Sequence, residues 1–79
     1  MDDRKIFGEN LRFLRKKNHL TQKQMASLLH VSTYCIQKVE HGIFVNSLYI
    51  DTLLDISRQF HVRITLLFKP WEEWQQEDR

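Results

Sequence analysis

The stretch Leu20–His41, LTQKQMASLLHVSTYCIQKVEH, constrains this chain more than any other part of it. Thr21 is placed to accept a hydrogen bond as an N-cap, and Gln24 three residues on completes a capping box, so a helix starts there. Met25, Ala26, Leu28 and Leu29 supply its apolar face, and Ala26 is small enough for a second helix to cross closely. His30-Val31 makes a tight turn. Ser32 then caps a second helix, in which Ile36 and Val39 recur at helical spacing. Gly42 follows where a helix ends on a residue with positive φ. Two short capped helices around an apolar turn residue must therefore pack against each other and against whatever else the chain supplies.

That remainder is small. Seventy-nine residues form one domain with a core near the lower limit of independent stability. Dimerisation is a common remedy at this size. No apolar run spans a bilayer and no signal-peptide pattern opens the chain, so no membrane association is expected. A lone cysteine rules out an internal disulfide and suits a reducing cytoplasm. Charge is uneven: residues 1–39 hold eight Lys/Arg against three Asp/Glu, a net +5, and residues 40–79 hold four against seven, a net −3. One end can face phosphates while the other faces away.

Asp2 and Asp3 precede a first helix expected over about Arg4–Lys17, where carboxylates suit the positive end of the dipole. Phe7, Leu11 and Leu14 form its core stripe. Gly8 is either a weak point or a close-packing point, and Phe13 falls off the stripe, either facing a partner or, the preferred reading, covering the helix edge. After the loop Gly42–Ser47, Asn46 or Ser47 is expected to cap a fourth helix over about Leu48–Phe60. Its inward stripe is Leu53, Ile56 and Phe60, with Ile50 and Leu54 beside it.

The crossing pair is a helix-turn-helix, and the chain resembles the Cro/CI-type (XRE-like) DNA-binding domains. The matching residues are Leu11, Leu14 and Arg15, then Leu20-Thr21-Gln22, Met25-Ala26, Leu29, Val31-Ser32, Ile36, Val39-Glu40 and Gly42. The run Leu53-Leu54-Asp55-Ile56 fits the helix that follows in that family. The resemblance spans roughly residues 6 to 60. His30 departs from it, since the family usually has glycine there; a left-handed histidine is tolerated at some cost.

The resemblance implies a structural ion pair between Arg15 and Glu40. It also implies that the helix beginning at Thr33 enters a major groove of double-stranded DNA by its N-terminal half. Thr33, Tyr34, Gln37 and Lys38 then point outward. Gln can bond adenine bidentately, Lys can bond guanine acceptors, and the Thr33 methyl or Tyr34 ring can meet a thymine methyl. Gln22 and Ser32 are expected at phosphates, with Lys23 a further cation. Asn46 lies in a loop that approaches DNA in the family and contributes to its dimer contact. The alternative is that these polar residues simply coat an exposed helix. Cys35, inside the same helix, reads as a small buried filler rather than a reactive thiol.

From His61 the pattern changes. Val62, Ile64, Leu66 and Phe68 alternate with Arg63, Thr65, Leu67 and Lys69, and Pro70 stops the run. A β-strand is preferred here over the short fifth helix that Ile64, Leu67 and Phe68 would also fit. A lone strand cannot satisfy its own ladder, so this one is expected to pair with itself across a homodimer, using Val62, Ile64, Leu66, Phe68 and Trp71. In that detail the chain looks like HipB-type antitoxins. Residues 1–70 are thus read as the DNA-binding and dimerising domain. Residues 71–79 form an acidic tail, whose Trp71 and Trp74 close the dimer core or anchor a partner.

The four histidines and one cysteine lack the paired spacing of a zinc site. Only Gly8 and Gly42 are available for a phosphate loop, and the adjacent Glu72 and Glu73 make a poor acid/base pair. An enzyme is not expected, nor a metal or cofactor. The fold expected is mainly α, four helices and a C-terminal strand. The function expected is a homodimeric, cytoplasmic, sequence-specific regulator, most simply a repressor on a palindromic operator. Two alternatives remain at this point: the antitoxin of a HipBA-like pair, binding its own promoter and a toxin, and a protein-interaction adaptor that lost DNA binding.

Overall fold

The computed structural model describes residues 2–45 and 50–76. Four α-helices run in order: α1 Asp3–Lys17, α2 Gln22–Leu29, α3 Thr33–Glu40 and α4 Ile50–Phe60. Two 3₁₀ helices follow, Ile64–Phe68 and Trp71–Gln76. Asp2 caps α1, its side chain accepting from Arg4 N, so only Asp3 of the two aspartates lies inside the helix. Thr21 and Gln24 form the reciprocal capping box of α2, and the Ser32 side chain accepts from Cys35 N at the start of α3. The expected cap residues of α4, Asn46 and Ser47, lie outside the described residues.

The helix ends share one device. His19, His30 and His61 have φ between 55° and 58°, and Gly42 has φ 81°. At each site the next residue's N–H reaches back to a carbonyl five residues earlier: Leu20 to Arg15, Val31 to Ala26, Ile43 to Lys38 and Val62 to Ser57. These are Schellman closures, which satisfy orphan carbonyls and set an apolar residue against the preceding turn. Leu20, Val31, Ile43 and Val62 are all aliphatic, as that contact requires. Three of the four histidines are therefore helix terminators.

The core is built from Phe7, Leu11 and Leu14 of α1, Met25, Ala26 and Leu29 of α2, Cys35, Ile36 and Val39 of α3, and Ile56 of α4. Gly8 is a close-packing point. A Cβ there would collide with the Val39 carbonyl oxygen and stand 3.3 Å from Gly42 N, so the α3 backbone lies directly on α1. Ile50, expected beside the inward stripe of α4, is instead 72% exposed, and Thr52 takes a buried place.

The C-terminal segment departs most from expectation. No strand is present among the described residues; residues 64–68 turn as a 3₁₀ helix, closer to the alternative of a short fifth helix. The reason lies in two side chains distant in sequence. Asn10, fully buried, donates from Nδ2 to the carbonyls of Leu67 and Lys69, each at 2.8 Å, with Leu66 O at 3.5 Å. Its Oδ1 accepts from Trp71 N at 3.0 Å. The Trp74 indole N–H is shared between Leu66 O and Lys69 O, both at 2.7 Å. Carbonyls that a strand would have offered to a partner chain are thus satisfied internally. The proposed strand pairing falls with the strand. Leu66 is buried in its own core, Val62 and Phe68 pack against that core half-buried, and Ile64 is half-buried as well.

Trp71 and Trp74 also belong to this packing. Trp74 is buried in the core of its own chain, and Phe13 meets both rings, stacked on Trp71 at 4.2 Å and edge-on to Trp74 at 5.7 Å. Phe7 closes the other end of the core, stacked on Phe68 at 5.3 Å and edge-on to Phe44 at 5.4 Å. No helix among the described residues is long and apolar enough to cross a membrane.

Candidate nucleic-acid interface

The outward face of α2 and α3 follows from their burial pattern. In α3, Cys35, Ile36 and Val39 are buried, which turns Tyr34 and Gln37 outward and leaves Thr33 and Lys38 half-buried beside them. Tyr34 is 59% exposed, a large value for an aromatic side chain, and the Lys38 ammonium lies 5.4 Å over its ring. That i, i+4 pair holds a cation and an apolar ring together on the protruding side of the helix. Lys23 and Ser32 are exposed, and Gln22 is half-buried. Asn46 lies outside the described residues.

Gln22, Gln37 and Lys38 come together in one cleft of about 420 Å³, completed by His41 and Ile43. Lys23, Ser32, Thr33 and Tyr34 lie outside that cleft. His41 and Ile43 were not singled out from the sequence. The signal was present: His41 stands four residues after Gln37, on the same outward face, and its Nδ1 lies 2.7 Å from Gln37 O. Ile43 follows the Gly42 turn and is half exposed.

Behind the cleft a buried ion pair fixes the relation of three helices. Arg15 Nε donates to Glu40 Oε2 at 2.7 Å and Nη2 to Oε1 at 3.1 Å, a bidentate pairing. Arg15 Nη1 donates to Leu20 O at 2.9 Å, and Gln22 Nε2 donates to Glu40 Oε1 at 3.2 Å. The side chains of Arg15 and Glu40 are 13% and 3% exposed, so the pair is largely dry. Planar fork-to-fork geometry resists rotation, which makes this pair a fastener between α1 and α3. It also draws the Gln22 amide toward the third helix, at the mouth of the cleft.

The electrostatic consequence is simple. The stretch Leu20–His41, which carries α2 and α3, contains one acidic residue, Glu40, against Lys23 and Lys38. That one carboxylate is consumed by Arg15. The α2–α3 face therefore presents lysines, amides, hydroxyls and helix N-termini with no exposed carboxylate to oppose a phosphate. Among the described residues no group of three or more His, Cys, Asp and Glu is gathered for a metal ion.

Searches of curated proteins and of solved structures returned no significant match. A family model described as a helix-turn-helix domain matches residues 8–70, which takes in most of α1, the crossing pair, α4 and the first 3₁₀ helix. On that match, and on the crossed, capped pair with its exposed basic face, the chain belongs to the family of helix-turn-helix DNA-binding domains.

Proposed function

We propose that this protein is a sequence-specific transcriptional regulator that binds double-stranded DNA as a homodimer, most simply a repressor occupying a roughly palindromic operator. The observation that carries the reading is the carboxylate-free face built on α2 and α3, with Glu40 withdrawn into the Arg15 pair. Thr33, Tyr34, Gln37 and Lys38 are the base readers, each good bidentate contact giving about 1–3 kcal/mol of discrimination. Gln22, Lys23 and Ser32 serve the phosphates, and His41 joins Gln22 at the cleft.

An eight-residue recognition helix touches few base pairs, so two copies on successive turns of the duplex, about 34 Å apart, supply the specificity one lacks. With the strand pairing withdrawn, the exposed apolar side chains available to join two copies are Phe44 and Ile50, on either side of residues 46–49; Ile43 is exposed as well but lines the cleft. Val62, Ile64 and Phe68 offer less, being half-buried already. The antitoxin reading leaned on the strand and is not carried forward.

Selection of bound sequences from a random duplex pool tests the proposal, since it returns both a half-site and a spacing. Gln37→Ala is expected to relax preference at one base pair, and Gln22→Ala to weaken all sites alike. A protein that retains no oligonucleotide at low salt, where phosphate contacts are strongest, would overturn the reading in favour of an adaptor.

A further inference from the structure

A second concave site lies away from the α2–α3 face. Glu9, Arg12, Phe13, Lys16 and Lys17 recur along one side of α1 and, with Trp71, line an open trough of about 600 Å³. Its floor is aromatic: the Phe13 and Trp71 rings stack with an interplanar angle of 5°, and Trp71 remains 37% exposed. Its rim is cationic, three basic side chains against Glu9. The ion pairs among the described residues are Arg4–Asp2, Arg15–Glu40 and Arg58–Asp55, so none of them neutralises this rim. Lys17 lies 5.8 Å over the Phe13 ring, on the aromatic floor itself.

The exposed Trp71 ring, backed by half-buried Phe13, offers a π face for stacking, and clustered cations at its edge favour a negative group placed there. Scale decides the class of occupant. A stable protein–protein interface needs roughly 800 Å² from each partner, whereas the apolar floor here is one pair of rings. The trough volume falls within the roughly 300–1,000 Å³ typical of small-ligand sites. We propose that this trough binds a small aromatic anion, a carboxylate or sulfonate carried on one or two fused rings. The ligand ring lies along the Trp71 indole and its charge sits among Arg12, Lys16 and Lys17. This site is separate from DNA reading and goes beyond it.

The test uses the full chain without DNA, so its outcome stands apart from that of operator selection. 1-Naphthoate and the uncharged 1-naphthalenemethanol are titrated while ¹H–¹⁵N spectra are recorded. Naphthoate is expected to shift residues 9–17 and the Trp71 indole, and the alcohol to bind at least about tenfold more weakly. The triple variant Arg12→Gln, Lys16→Gln, Lys17→Gln removes the rim charge together with the Lys17–Phe13 contact and two cations at the end of α1; it is expected to stay folded, melting within about 10 °C of the parent, and to lose about tenfold in naphthoate affinity. Trp71→Leu is expected to abolish the shifts at residues 9–17. The proposal fails if acid and alcohol bind equally, if no shift maps to the trough at millimolar ligand, or if the triple variant binds as the parent does. It fails equally if sedimentation shows that the triple substitution dissolves a dimer, which assigns the trough to a second copy. Displacement of naphthoate by micromolar Glu-Glu-Phe-Glu-Glu peptide would assign it to an acidic protein segment instead.

Discussion

Asn10→Ala is the substitution that isolates the C-terminal lock. In the parent, Asn10 satisfies Leu67 O and Lys69 O through its two N–H groups and Trp71 N through its oxygen. After truncation Lys69 O and Leu66 O keep the Trp74 indole, but Leu67 O and Trp71 N lose the Asn10 side chain. An unsatisfied buried polar group costs about 1–3 kcal/mol; Trp71 N is only partly buried and can recover a water, so the sum falls near 2–4 kcal/mol. A domain of this size has roughly 4–12 kcal/mol in total, and each kcal/mol moves the melting point by ~4–8 °C. The variant is expected to remain folded but to melt some 10–30 °C lower. Loss of amide-exchange protection at Trp71 should exceed that at Leu29 or Val39, because the 3₁₀ segments release before the helices do. Asn10→Asp keeps the acceptor for Trp71 N but turns an oxygen toward Leu67 O and Lys69 O, and should be no more stable than the alanine variant. Circular dichroism melts and exchange rates decide the matter. A melting point within about 3 °C of the parent, or uniform loss of protection, would refute the claim that Asn10 holds the segment in its turn.

Three further perturbations address the remaining features. Glu40→Ala leaves the Arg15 guanidinium largely buried with only the Leu20 carbonyl, and should cost about 3–5 kcal/mol in urea unfolding, while the double change Arg15→Met, Glu40→Leu should recover most of it; a cost below ~1 kcal/mol would place the pair with exposed bridges. His30→Gly removes the strain of a left-handed side chain but adds unfolded-state freedom, for a net gain of about 0.5–1 kcal/mol and ~2–8 °C in melting temperature. Gly8→Ala reverses the sign that helix propensity alone would give. Propensity favours alanine by ~1 kcal/mol, but the new methyl meets the Val39 carbonyl, a backbone group with no room to move, so a net loss of about 1–3 kcal/mol is expected by urea titration.

The helices and the crossing pair were legible because their signals are local. Thr21 with Gln24, Ser32, and the turn at His30 each announce themselves within four residues, and the stripe Phe7, Leu11, Leu14 repeats at helical spacing. The segment after His61 was misread because alternation over seven residues does not separate a strand from a tight turn. What decides between them is Asn10, more than fifty residues upstream, and Trp74, beyond the proline. A trace of Asn10 was there: it sits three residues after Phe7 and four before Leu14, a polar residue on the core stripe. Likewise His19-Leu20 and His61-Val62 repeat the His30-Val31 pair, so the left-handed ends of α1 and α4 were as readable as that of α2. At the candidate interface, outward Tyr34 and Gln37 followed from the inward Ile36 and Val39. His41, four residues after Gln37, was equally readable, whereas the reach of the Gln22 amide to Glu40 and the joining of Ile43 to the cleft depended on how the helices cross and left no mark in spacing.

Gly8 bears on how the duplex must behave. With no side chain between them, the backbone of α3 rests on α1, and the helix that carries Tyr34 and Gln37 has no slack in which to roll or slide. Free and occupied protein should then superpose closely through these helices. Any mismatch in groove width or curvature is then left for the nucleic acid to absorb, and on the proposed two-copy reading the softness of base steps between the half-sites becomes a determinant of affinity although no side chain reaches them.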